Sequence, residues 1–117
     1  MKTVNQLFYK ALSYVGAYGS GQVPSSEDIQ LCNDAFRPLL EELAATDVAY
    51  IPVNPSSNNT QEIPDGLFLS LAKLLAIEIA PDYGAPVDEM AREYVLRRIR
   101  LIASAGSYGQ TQDAEYF

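Results

Sequence analysis

Pro64-Asp65-Gly66-Leu67-Phe68-Leu69-Ser70-Leu71-Ala72-Lys73-Leu74-Leu75-Ala76-Ile77-Glu78-Ile79-Ala80 is the most apolar stretch of the chain. Pro64-Asp65 opens a helix, and from Gly66 to Ala80 apolar residues fall on most of its faces. A helix that is hydrophobic nearly all round lies at the centre of its domain or faces a partner subunit as well. Lys73 and Glu78, the two charges within it, make it too polar for its length to span a membrane.

Three further helical stretches surround this one. The first runs from about Val4 to Val15, with Val4, Leu7, Phe8, Ala11, Leu12 and Val15 recurring on one face. Thr3 caps its start and Gly16 stands where a helix commonly ends, before a Gly-rich loop over 17–23. The second follows Pro24-Ser25-Ser26-Glu27-Asp28, a serine cap with acids in the first turn, and reaches about Thr46. Its inward residues are Ile29, Cys32, Ala35, Phe36, Leu39, Leu40 and Leu43, and Pro38 predicts a kink or a helix broken in two. The last covers about Val87 to Ala103, with Pro86 at its first position. Val87, Met90, Ala91, Tyr94, Val95, Ile99 and Ile102 form its apolar face, and Arg92, Arg97, Arg98 and Arg100 its outer side. Between the second and third helices, residues 47–64 read as an irregular insertion: Val48–Val53 favours extended structure, and Thr60–Ile63 can pair back on it as a short hairpin. Residues 106–117 have no period and read as an extended tail. The expected fold is all-α: a small four-helix, bundle-like domain over 1–105 with the 47–64 insertion, and the tail 106–117.

Composition removes much chemistry. The chain has 117 residues, 15 acids, 8 bases and no histidine, for a net charge of −7. Such a chain is repelled by nucleic acid over most of its surface. Without histidine there is no Ser–His–Asp or Cys–His nucleophile system and no His-containing metal site. Cys32 alone cannot form an internal disulfide or a Cys-cluster site, and its place on the inward face reads as a buried structural thiol. Glu41-Glu42 four and five residues after Arg37 read as a surface ion pair, and Asp82, Asp88 and Glu89 as helix-capping acids. Gly16, Gly19 and Gly21 lack the lysine of a phosphate-binding loop. No catalytic residue, cofactor or metal is expected. With no apolar leader in the sequence, the expectation is a protein made in the cytoplasm without a membrane association. Eight tyrosines, many at helix ends and in loops, tilt the reading toward an assembly subunit.

The order of motifs resembles a known family. Ala11-Leu12-Ser13-Tyr14-Val15-Gly16 leads through a small-residue loop to Val23-Pro24-Ser25-Ser26-Glu27-Asp28, then to Leu31-Cys32-Asn33-Asp34-Ala35-Phe36-Arg37-Pro38-Leu39-Leu40-Glu41-Glu42-Leu43. Ile63-Pro64-Asp65-Gly66-Leu67-Phe68 then opens an apolar helix that ends Glu78-Ile79-Ala80-Pro81-Asp82-Tyr83-Gly84. Over roughly Leu7 to Ile102 this looks like the head–tail adaptors of tailed bacteriophages, especially the tail accessory factor of P22-like podoviruses that stabilises packaged DNA. The resemblance implies a structural virion protein, not an enzyme, which forms a ring, usually of twelve copies, beneath the portal protein. The ring would extend the DNA channel, retain the genome and offer a platform to the next tail or nozzle protein, while DNA passes without sequence-specific binding. The tail would meet the portal through Ser107, Tyr108, Gln110, Tyr116 and Phe117. Leu69, Lys73, Ile77, Arg97, Arg98 and Arg100 would form the subunit interface, and Tyr50, Ile51 and Val53 would contact the next tail component. The chain departs from the family in having no tryptophan and only a brief insertion. Outside this resemblance, a small acidic helical regulator that sequesters a host protein has the same composition.

Overall fold

Thr3 begins the folded chain by closing a capping box: its hydroxyl accepts from the Gln6 amide at 3.2 Å, and the Gln6 side chain accepts from the Thr3 amide at 2.9 Å. The computed structural model describes residues 2–17, 22–51 and 61–105. Within them the order is β1 (Lys2–Thr3), α1 (Val4–Tyr14), α2 (Ser26–Ala45), β2 (Glu62–Ile63), α3 (Asp65–Ile79), a short 3-10 helix (Ala80–Tyr83) and α4 (Glu89–Ser104). The fold is all-α with one two-stranded antiparallel sheet. The expected tail, residues 106–117, lies outside the described residues, as does Val53.

The apolar stretch over 64–80 is central. α3 packs against α1, α2 and α4, and buries Leu67, Leu71, Leu74, Leu75 and Ile79 together with the smaller Ala72 and Ala76. Phe8 of α1 and Phe36 of α2 meet edge to face, with centroids 5.4 Å apart, and close the core on α2's side. Among the described residues no helix is long and apolar enough to cross a membrane.

Three expectations are corrected. Of the kink or break expected at Pro38, the break does not occur: α2 runs from Ser26 to Ala45 with the proline inside it. Cys32 and Phe36 before the proline and Leu39 and Leu43 after it form one buried stripe, and burial of both halves offsets the lost backbone hydrogen bond. Among the described residues Glu62–Ile63 does not pair back on 48–51; it pairs with Lys2–Thr3, in the register Lys2 with Ile63 and Thr3 with Glu62. The reason is the end of α2. Asp47 adopts a left-handed φ of 60°, the Val48 amide reaches the Leu43 carbonyl at 2.8 Å, and the Asp47 amide reaches Ala44 at 3.1 Å. These are the two bonds of a Schellman cap, and they turn Val48 and Ala49 inward to bury against the core instead of extending as a strand. The same closure ends α1, where Gly16 has φ 73° and the Ala17 amide reaches Leu12. Third, α4 begins later than Pro86 suggests, with the Asp88 carboxylate accepting from the Ala91 amide at 3.0 Å. Only Val95 and Ile99 of its expected apolar face are buried, because α3 is the main element packed on it; Met90 and Tyr94 are exposed.

Candidate functional site

α3 has a second face that its own chain leaves open. Leu69, Lys73, Ala76, Ile77 and Ala80 recur at helical spacing and wall one side of a groove of about 780 Å³. Ala91, Tyr94, Val95 and Arg98 of α4 form the opposite wall, and Tyr14 and Val15 at the end of α1 close one end. Ala76, Ala80 and Ala91 explain why it is open: methyl-sized side chains leave unfilled the space between two helices that longer residues would occupy. The floor is apolar and the lip is mixed. Leu69 is 54% exposed and Tyr94 58%. The Arg98 guanidinium lies 5.8 Å from the Tyr94 ring centroid, and the Lys10 ammonium 5.3 Å from that of Tyr14.

This groove brings together four of the six residues expected at a subunit interface: Leu69, Lys73, Ile77 and Arg98. Arg97 lines a neighbouring shallow recess with Met90 and Glu93, and shares Tyr94 as a wall. Arg100 is exposed on α4 and lines neither. Of the loop residues, Tyr50 is exposed, whereas Ile51 is half-buried and packs on the core. Ser107, Tyr108, Gln110, Tyr116 and Phe117 lie outside the described residues, as does Val53.

Two polar arrangements hold the frame around the groove, and sequence reading assigned neither. Arg92, expected on the outer side of α4, instead ties three helices together. Its Nη2 donates to Glu42 of α2 at 2.8 Å and its Nε to Glu78 of α3. Two carboxylates hold the guanidinium firmly charged, Glu78 contributing more than Glu42. The Tyr83 hydroxyl donates to the Asp28 carboxylate across 55 residues of sequence, fastening the 3-10 helix to the start of α2. Burial, then the carboxylate, pushes the Tyr83 phenol well above its ordinary value. The same bond, reinforced by Ser25, holds Asp28 below the usual carboxylate range. Asp28 also completes the α2 capping box, accepting from the Ser25 amide and giving its own amide to the Ser25 hydroxyl. The signal for Arg92 was its position: it falls seven residues before Ile99, on the side of the helix that packs.

Cys32 is fully buried, and its thiol is pushed up to about 12, first by burial and then by the nearby Asp28 charge. A thiol in that state is no nucleophile at neutral pH. Among the described residues no group of three or more Cys, Asp or Glu side chains is placed to hold a metal ion. The groove's ionisable groups are Lys73, Arg98, Asp88, Tyr14, Tyr83 and Tyr94. This set can bind a complementary surface through apolar area and cations. Comparison of the chain with known protein families, with curated proteins and with solved structures finds no match.

Proposed function

We propose that this chain is the adaptor subunit of a bacteriophage head–tail connector, assembling as a ring beneath the portal protein. The observation that carries the reading is the open face of α3. A core helix that also presents Leu69, Lys73 and Ile77 to an unfilled groove has one face for its own domain and one for a neighbour, as a ring subunit requires. The motif order from Leu7 to Ile102 supplies the kind of assembly, usually twelve copies, and the net charge of −7 suits the lumen. An acidic channel wall repels DNA phosphates, so the duplex slides without being held in sequence-specific contacts. In this reading the 106–117 segment docks on the portal, Tyr50 and its neighbours meet the next tail or nozzle protein, and the ring retains the packaged genome. The protein is made in the host cytoplasm, resides at the head–tail junction of the virion, and performs no catalytic step, cofactor chemistry or membrane insertion.

The test is recovery of the tagged chain from lysate of its source system, followed by negative-stain microscopy. The expected result is a large ring-forming partner with added density below its collar. A single soluble host protein in a small stoichiometric complex would replace this reading with that of a sequestering regulator.

A further inference from the structure

The groove is part of a larger face. Leu69 also walls a second depression, of about 600 Å³, with Lys2, Gln6, Lys10 and Phe68 around it. The joint face carries Lys2, Lys10, Lys73 and Arg98 against Asp65 and Asp88, which is four of the chain's eight bases and only two of its fifteen acids. On a chain of net charge −7 this is a local reversal of sign. Neither Lys73 nor Arg98 makes an ion pair among the described residues; Arg98 Nη1 donates only to the neutral Tyr94 hydroxyl, at 3.4 Å, so neither charge is matched by a carboxylate.

The opposite pattern lies on α2. Glu27, Gln30, Asp34, Arg37 and Glu41 are exposed at intervals of three and four residues, so they form one stripe along the helix. Three of these five are acids and one is a base. Val23, 75% exposed just before the helix, and the exposed Pro38 add apolar surface at its side. No α2 residue lines either depression, so the two surfaces are distinct parts of the molecule. Their lengths agree: Glu27 to Glu41 runs about 21 Å along a helix, and the Leu69-to-Ala80 wall about 17 Å.

We infer that the face built on the α3 groove receives the acidic outward stripe of α2 from a second copy of this chain. Two different patches meet in such a contact, so each copy keeps one of each unused and the contact repeats head to tail. It closes into a ring where the rotation per copy allows and gives an open filament where it does not. The apolar floor supplies area, and the Lys73, Arg98 and Lys10 cations select the acidic stripe and fix its register. The inference rests on the adaptor reading only for the choice of a ring as the closed form.

Charge swapping tests it. Full-length chain at about 1 mM, where even a Kd of that order leaves much of it associated, is examined by sedimentation velocity in about 50 mM salt. The wild type self-associates and is dispersed by high salt. Lys73→Glu with Arg98→Glu weakens association by about tenfold or more, and so does Asp34→Lys with Glu41→Lys. Mixing those two variants restores it, because each acidic groove then meets a basic stripe and each basic groove an acidic one. The quadruple variant, with both surfaces reversed, also associates; far-UV circular dichroism verifies that every variant is folded. A wild type that stays monomeric, reversals without effect, or a mixture that stays dispersed overturns the inference. Microscopy of the Lys73→Glu, Arg98→Glu variant recovered from lysate separates the two proposals. An intact ring on the portal overturns the charge contact and leaves the adaptor standing. Salt-sensitive pairing with no portal-bound ring does the reverse.

Discussion

Substituting Arg92 by alanine removes a side chain that joins α2, α3 and α4 by charge-assisted hydrogen bonds. Its two bonds are unequal. Glu42 is half-exposed, with 51% of its side chain in solvent, so that pair is worth about 0.2–1 kcal/mol. Glu78 is 30% exposed and Arg92 19%, so their bond lies between the surface case and the roughly 3–5 kcal/mol lost when a fully buried pair is broken. Arg92→Ala is therefore expected to cost about 2 kcal/mol, because Glu78 stays on α3 with less water than it needs and no partner. Glu42→Gln should cost less than about 1 kcal/mol. For a domain of this size about 2 kcal/mol lowers Tm by roughly 8–16 °C. Urea titration followed by far-UV circular dichroism measures it, since the chain has no tryptophan to report by fluorescence. Arg92→Lys keeps the charge but not the two-pronged geometry, and should fall between wild type and alanine. Stability of Arg92→Ala within about 0.5 kcal/mol of wild type, or a Glu42→Gln loss equal to it, would refute the reasoning.

Asp47→Gly should stabilise the chain by about 0.5–1 kcal/mol, since glycine adopts the left-handed φ of 60° without the Cβ penalty; a fall in the urea midpoint would contradict it. Tyr83→Phe should cost about 1 kcal/mol at neutral pH. That loss depends on pH in a set direction. Asp28 is lowered in the folded state, so its contribution is complete above the ordinary carboxylate range and disappears as pH falls through its folded value. The Tyr83 phenol is raised, so its contribution is complete below about pH 10 and lost as pH rises beyond that. Stability measured from acid to alkaline pH should thus show wild type and Tyr83→Phe converging in acid, and a parallel pair of curves would count against the bond. Cys32 should react with Ellman's reagent at pH 8 about a thousandfold more slowly in the native chain than in urea; rapid native labelling would mean that its thiol is not buried.

Much of this fold was legible because its signals are local and periodic. The all-round apolarity of Gly66–Ala80 announced a central helix, Thr3 and the Ser25-Ser26 pair announced capped starts, and Gly16 announced the end of α1. Where reading failed, a nonlocal or nonstandard choice had intervened. Asp47 performs the turn that glycine usually makes, so the inward path of Val48 and Ala49 carried no glycine to announce it. Glu62–Ile63 found its partner at Lys2–Thr3, about sixty residues away, and no short-range pattern encodes that choice. α4 shows the same limit from the other side. Its apolar period is real, but a period states which residues share a face and not how much of that face a neighbour covers, so Met90 and Tyr94 remained outside. The groove was half legible. Leu69, Lys73 and Ile77 follow from helical spacing, whereas Arg98 joining them, Arg97 standing apart and Arg92 turning inward depend on how α4 is set against α3.

The proposed adaptor function places this chain as a ring at the junction between a phage head and its tail. Particles from the source system carrying a tagged copy of the chain, labelled with gold and viewed by electron microscopy, test it most directly. Gold is expected at the vertex where the tail joins the head, and nowhere else on the particle. Particles without label, or label confined to the capsid faces or the tail tip, would contradict it.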